Sequence, residues 1–145
     1  MPESKPKGRV LALDLGRRRV GSAVSDELGI TAQGLECFDI RGRQDLLARI
    51  KEYQQRFPIT AIVLGKPSRL DGSPTDISKM VDETREFLEK SLELPVYLYD
   101  ERFTSKIAQQ SLHQSGIKLK NNKQLLDKTA ATIILTDYLK DHAAS

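Results

Sequence analysis

Short apolar runs and amphipathic stretches follow one another along the chain, and their order predicts an α/β fold. After a polar start, residues 1–8, expected to be a flexible tail, Val10–Leu15 reads as a buried strand and Val20–Ser25 as a second. The basic turn between them is too short for anything but an antiparallel hairpin. Gly34–Asp39 predicts a third strand that closes the meander. From Gln44 to Phe57 the pattern changes: Leu46, Leu47, Ile50, Tyr53 and Phe57 recur at helical spacing until Pro58 stops the run. Ile59–Gly65 is a short β-branched run that suits a strand covered by helices on both faces. Ser73, Pro74 and Asp76 read as an N-cap, a first-turn proline and a dipole-friendly acid. The helix they open should end near Leu92, with Ile77, Met80, Val81, Phe87 and Leu88 on its core face. Val96–Tyr99 predicts the last strand, with Asp100 and Glu101 at its carboxyl end. Thr104 or Ser105 caps a helix that Gly116 ends, and the basic loop 117–124 leads to a final helix, Leu125–Leu139. Leu126, Ala130, Ile133, Ile134 and Tyr138 should face inward there.

Three strands, then helices alternating with strands, predict a mixed five-stranded sheet flanked by helices, within one domain over residues 9–142. Ligands of such sheets gather at the carboxyl ends of the parallel strands. Asp14 lies near the end of the first strand, and Glu101 directly follows the last. If those strands are neighbours, the two carboxylates converge. Asp127 stands in the first turn or two of the last helix, beside Ala130 and Ala131, whose small side chains let a helix approach a sheet closely.

Charge and composition narrow what these acids can do. A net charge of +3 is only mildly basic, so a nucleic-acid footprint must come from local clustering, as in Arg17, Arg18 and Arg19. The single cysteine, Cys37, excludes an internal disulfide, and with only His113 and His142 there is no zinc cluster. No apolar run is long enough to span a membrane and no secretion signal is apparent, so a cytoplasmic protein is expected. Magnesium or manganese takes oxygen ligands, and a few carboxylates completed by substrate phosphate form its usual site in phosphoryl-transfer enzymes. Asp14 would hold metal while the arginines meet the phosphate backbone.

At these residues the sequence resembles the YqgF family, also called RuvX, Holliday junction resolvase-like proteins and pre-16S ribosomal RNA nucleases of the RNase H-like superfamily. The matching pieces are Asp14-Leu15-Gly16 through Arg19-Val20-Gly21 and Ala23, Gly65-Lys66-Pro67 with Asp71-Gly72-Ser73, Asp100-Glu101-Arg102, and Asp127 with Ala130-Ala131 and Ile134-Leu135. The resemblance covers nearly the whole chain. It implies an RNase H-like fold, Asp14, Glu101 and Asp127 as catalytic, metal-binding acids, and 5′-end maturation of ribosomal RNA as the biological role. Gly16, Arg17, Arg18, Arg19, Gly65, Pro67, Asp71, Gly72, Arg102 and Thr104 are the expected substrate contacts. Lys66 and Ser22 depart from the family, which often has an apolar residue and a valine there. A further departure bears on substrate: resolvases of the superfamily often carry two acids one turn apart in the last helix. Here Gln124 and Ala130 flank Asp127 at that spacing, which argues against a four-acid site and true junction resolution.

Each residue also has a plainer explanation. Asp14 could cap its turn, Asp127 could serve the helix dipole, Glu101 and Arg102 could form an exposed pair, and Asp71-Gly72 could simply make a turn. Three functions follow. The first is a magnesium- or manganese-dependent nuclease on structured nucleic acid, a ribosomal RNA precursor before branched DNA. The second is a sugar-kinase-like phosphotransferase, for which 145 residues are too few to make the duplicated domain. The third is a non-catalytic nucleic-acid adaptor. A homodimer would suit a two-stranded substrate, though no residue demands one.

Overall fold

The computed structural model describes residues 8–66, 76–100 and 123–142, with side chains described over 8–66, 76–99 and 130–140. Strands β1 (Arg9–Leu15), β2 (Arg19–Ser25) and β3 (Ala32–Asp39) form the predicted meander, followed by helix α1 (Arg43–Arg56) and β4 (Ile59–Lys66). Helix α2 (Asp76–Leu92), β5 (Val96–Asp100) and a last helix, α3 (Lys123–His142), complete the described chain. The sheet order is β3-β2-β1-β4-β5, antiparallel from β3 to β1 and parallel across β1, β4 and β5. β1 is therefore central.

Strand alternation sorts β1 into two faces. Leu11, Leu13 and Leu15 join the larger core beneath α1 and α2, with Leu46, Ile50, Tyr53, Val81 and Leu88. Ala12 points the other way, against Ala131, Ile134 and Leu135 of α3. The small side chains of Ala12, Ala23 and Ala131 on that face let α3 lie close to the sheet. Asp14 has the parity of Ala12, so the acid belongs to the α3 face.

Several boundaries differ from the sequence reading. β3 begins at Ala32, two residues early, because Ser25 at the end of β2 pairs with it. The α2 core stripe includes Ser78 and Thr84, which hydropathy alone leaves out; the Thr84 hydroxyl donates to the Met80 carbonyl at 2.8 Å and so enters the interior satisfied. α3 starts at Lys123 and runs to His142, and its buried stripe differs from the expected one: Ala131, Leu135 and Leu139 are buried beside Ala130, Ile134 and Tyr138, Ile133 is only half-buried, and the Leu126 side chain lies outside the described residues. The helix predicted to end at Gly116, the basic loop before α3 as far as residue 122, and both histidine side chains lie outside the described residues.

Where β2 meets β3 the register slips: Gly21 opposes Cys37 while Ala23 opposes Gly34, so Leu35 and Glu36 together face Ser22. This is a β-bulge, and it leaves the Glu36 backbone without a ladder partner. The buried Ser22 hydroxyl supplies one, donating to the Glu36 carbonyl at 2.7 Å and accepting from its N–H at 3.1 Å. With its one proton used, Ser22 Oγ accepts from the Tyr53 hydroxyl of α1, 3.2 Å away. Burial pushes the Tyr53 phenol above its ordinary value. The departure at Ser22 is thus a structural fitting. Lys66 is another: its ammonium lies 3.0 Å from Asp82, tying the end of β4 to α2.

Candidate nucleic-acid cleft and metal centre

The open end of β1 is built around Asp14, which is half-buried. Its partner on β2 is Gly21. On the other side, one step beyond the Leu13–Leu64 pair, lies Gly65, itself paired with Tyr99. Both cross-strand neighbours of the acid therefore lack side chains, so the α3 face is open on either side of the carboxylate. Neither glycine's role is visible in linear spacing, since sequence pairs neither with Asp14.

Beyond Asp14 the chain turns sharply. The Gly16 N–H donates to the Arg19 carbonyl at 2.7 Å, and a Cβ on Gly16 would stand 3.0 Å from that oxygen, tight enough to favour glycine. The turn is pinned sideways as well, where the Ile40 N–H donates to the Arg18 carbonyl at 2.7 Å. These bonds hold three consecutive arginines at the mouth of a cleft of about 1060 Å³. One wall is Asp14 and the 16–19 turn; the other is Asp39–Gly42, where β3 passes into α1.

The arginines have different surroundings. Arg19 Nε lies 3.6 Å from Asp39, on the same sheet face as Asp14. Arg17, strongly exposed, reaches Asp76 at the start of α2 at 3.9 Å, a weak contact. Arg18 and Arg41 make no ion pair among the described residues. Arg41 was not anticipated; the signal was Arg41-Gly42-Arg43 at the junction of a strand and a helix, which only tertiary structure brings opposite the hairpin. The lining carries four arginines against Asp14 and Asp39, an excess of positive charge where the chain as a whole has little.

Sheet order corrects one expectation. β1 and β5 are not neighbours, because β4 runs between them. Two strand spacings, roughly 9.6 Å, separate the lines of β1 and β5, so strand order alone does not bring the carboxyl ends of β1 and β5 side by side. Asp127 is in α3, the helix packed on the Asp14 face, and as its fifth residue stands in the second turn, beyond the first turn where a helix dipole favours an acid. The dipole explanation of Asp127 weakens accordingly. Its side chain, and Pro67, Asp71, Gly72, Glu101, Arg102 and Thr104, lie outside what is described. Among the described residues no three of His, Cys, Asp or Glu converge as a metal cluster.

A hairpin meander running into parallel strands, with an acid ending the central strand and arginines in the turn beyond it, defines an RNase H-like fold of the resolvase type. Two solved structures share it. T. thermophilus RuvC in complex with a Holliday junction substrate matches with a TM-score of 0.58 at 16% identity, over 94% of this chain and 96% of that one. Fowlpox virus resolvase with Holliday junction DNA matches with a TM-score of 0.56 at 14% identity, over 92% and 97%. The chain belongs to the RuvX family, whose model, described as Holliday junction resolvase, matches residues 8–141. Curated relatives carry the name "Putative pre-16S rRNA nuclease". One from Koribacter versatilis (strain Ellin345) is 41% identical over 133 residues, 92% of this chain and 87% of the relative. Another, from Dictyoglomus thermophilum, is 40% identical over 131 residues, covering 90% and 94%. Membership places the chain among nucleases, hydrolases of phosphodiester bonds.

Proposed function

We propose that the protein is a magnesium- or manganese-dependent nuclease of the cytoplasm that processes the 5′ end of a 16S ribosomal RNA precursor. The observation that carries this reading is Asp14: a half-buried carboxylate between two glycines, at the carboxyl end of the central strand, opening into an arginine-lined cleft. The names of the curated relatives support the RNA substrate. Asp14, Glu101 and Asp127 would hold the metal, an all-oxygen donor set that suits hard divalent cations. Divalent ions held by these acids would supply activation of a water and charge neutralisation at the leaving oxygen of an in-line displacement. Arg17, Arg18, Arg19 and Arg41 draw the phosphate backbone along the cleft, and the glycines at 21 and 65 leave room for it beside Asp14. Pro67, Asp71, Gly72, Arg102 and Thr104 are assigned to substrate contact through the family resemblance, and residues 9–142 to one domain. Among the described residues no helix is long and apolar enough to cross a membrane.

End-labelled precursor RNA and a four-way DNA junction, each incubated with wild type and with Asp14→Asn, test the assignment. Wild type is expected to cut RNA faster than the junction and to stop when the divalent ion is chelated. Asp14→Asn should lose about 100-fold or more in rate, since metal ligation supplies several kcal/mol of charge stabilisation. Metal-dependent cutting that survives Asp14→Asn rules the metal centre out. Tight RNA binding without cutting under either ion indicates the adaptor role.

A further inference from the structure

Adjoining the Asp14 cleft at the 16–19 turn, toward α1 and α2, lies a second cavity of about 280 Å³. Leu15, Ile40, Leu46 and Met80 wall it, while Arg17 and Arg43 stand at its exposed mouth. Five residues, Leu15, Gly16, Arg17, Ile40 and Gly42, line both this cavity and the larger cleft, and at Gly16 and Gly42 no side chain stands between the two. At Gly42 a Cβ would meet nothing within 4 Å, so this rim is open.

We propose that this cavity is a base-binding subsite, which takes one unstacked nucleobase from a strand whose phosphates lie in the neighbouring cleft. The inference rests on nucleic acid occupying that cleft. Its volume falls just below the usual range of about 300–1,000 Å³ for small-molecule pockets, right for one planar heterocycle and too small for a whole nucleotide. The walls are apolar and the mouth is cationic, matching a base with its phosphate outside. Among the described residues, Arg17 and Arg43 are held by exposed partners, Asp76 at 3.9 Å and Glu83 at 3.4 Å, contacts weak enough to exchange for phosphate or for stacking on the base. The one hydroxyl in the wall, Thr84 Oγ1, already donates to the Met80 carbonyl. With its proton used, Thr84 can offer a base only an acceptor, so the wall reads mainly shape and stacking and discriminates little between bases. Duplex interiors, whose bases are stacked, are excluded; single-stranded ends, bulges and loops are admitted.

The test uses the full chain with EDTA present, so that binding is read without cleavage. Short single-stranded RNAs, each with one abasic site moved stepwise along the strand, are titrated by fluorescence anisotropy. Wild type should lose about 5- to 150-fold in affinity when the abasic site falls at one particular position, the effect of removing one stacked base, and little elsewhere. Exchanging the base at that position for another should change affinity far less. Met80→Trp, which fills the cavity, should abolish the positional penalty; the abasic scan on wild type stands independently if that variant does not fold. Tight binding with every abasic position equivalent overturns the subsite and leaves the cleft reading intact. No binding to any strand overturns the cleft reading and the subsite with it.

Discussion

Ser22 shows how one hydroxyl can settle a local register. It saturates the Glu36 backbone at the bulge and receives the Tyr53 proton, joining β2, β3 and α1 at one buried atom. Ser22→Val, the residue common in the family, would strand a part-buried N–H and carbonyl and a buried phenol at once. The expected cost is about 2–4 kcal/mol, from unsatisfied groups costing about 1–3 kcal/mol each and partly relieved by relaxation of the bulge. Adding Tyr53→Phe should recover about 1 kcal/mol by removing one stranded group. Urea unfolding of the two single variants and the double variant checks both the cost and the recovery. If Tyr53→Phe lowers stability equally with and without Ser22, the network is not coupled.

Helix α2 ends on an unusual residue. Glu93 follows Leu92 with φ of 54°, in the left-handed region that glycine normally fills, and its N–H donates to the Glu89 carbonyl at 3.0 Å. A non-glycine there costs roughly 1–2 kcal/mol, partly offset because glycine loses more chain entropy on folding. Glu93→Gly is therefore expected to stabilise the protein by about 0.5–1 kcal/mol and raise Tm by about 2–3 °C. A fall in Tm would mean that the Glu93 side chain makes a contribution larger than its backbone strain. The two strand glycines beside Asp14 serve a different purpose: there the backbone is extended and what matters is the missing side chain.

Across the molecule, positive charge is concentrated rather than abundant. The cleft gathers Arg17, Arg18, Arg19 and Arg41 from a hairpin turn and a strand-to-helix junction separated by more than twenty residues, and the fold alone makes them neighbours. Arg18 and Arg41, without ion pairs among the described residues, are the arginines best placed to neutralise phosphate. Replacing either by alanine should weaken RNA binding and lower the slope of log K against log salt by about 0.7–0.9 for each phosphate that is no longer neutralised, uniformly across sequences. Melting temperature should stay unchanged. An unaltered salt slope in Arg18→Ala and Arg41→Ala would place the phosphates elsewhere on the surface.

Periodicity determines what is local, and here it sufficed for much of the fold. The alternation of Leu11, Leu13 and Leu15 with Ala12 and Asp14 already contains both sheet faces, and Pro58 and Glu93-Leu94-Pro95 bound helices whose stripes are plain in the chain. The motif residues also placed Asp14 at a strand end beside its basic turn. Hidden were the relations that depend on strand order and register. That β4 intervenes between β1 and β5, that Gly21 and Gly65 flank Asp14, that Arg41 faces Arg18, and that Ser22 and Thr84 are buried and satisfied all follow from pairings between distant segments. A strand pattern records which residues share a face but says nothing of which strand lies beside it, because backbone hydrogen bonds are the same for every partner; the partner is selected by packing of the whole core, and the site comes into being with that choice.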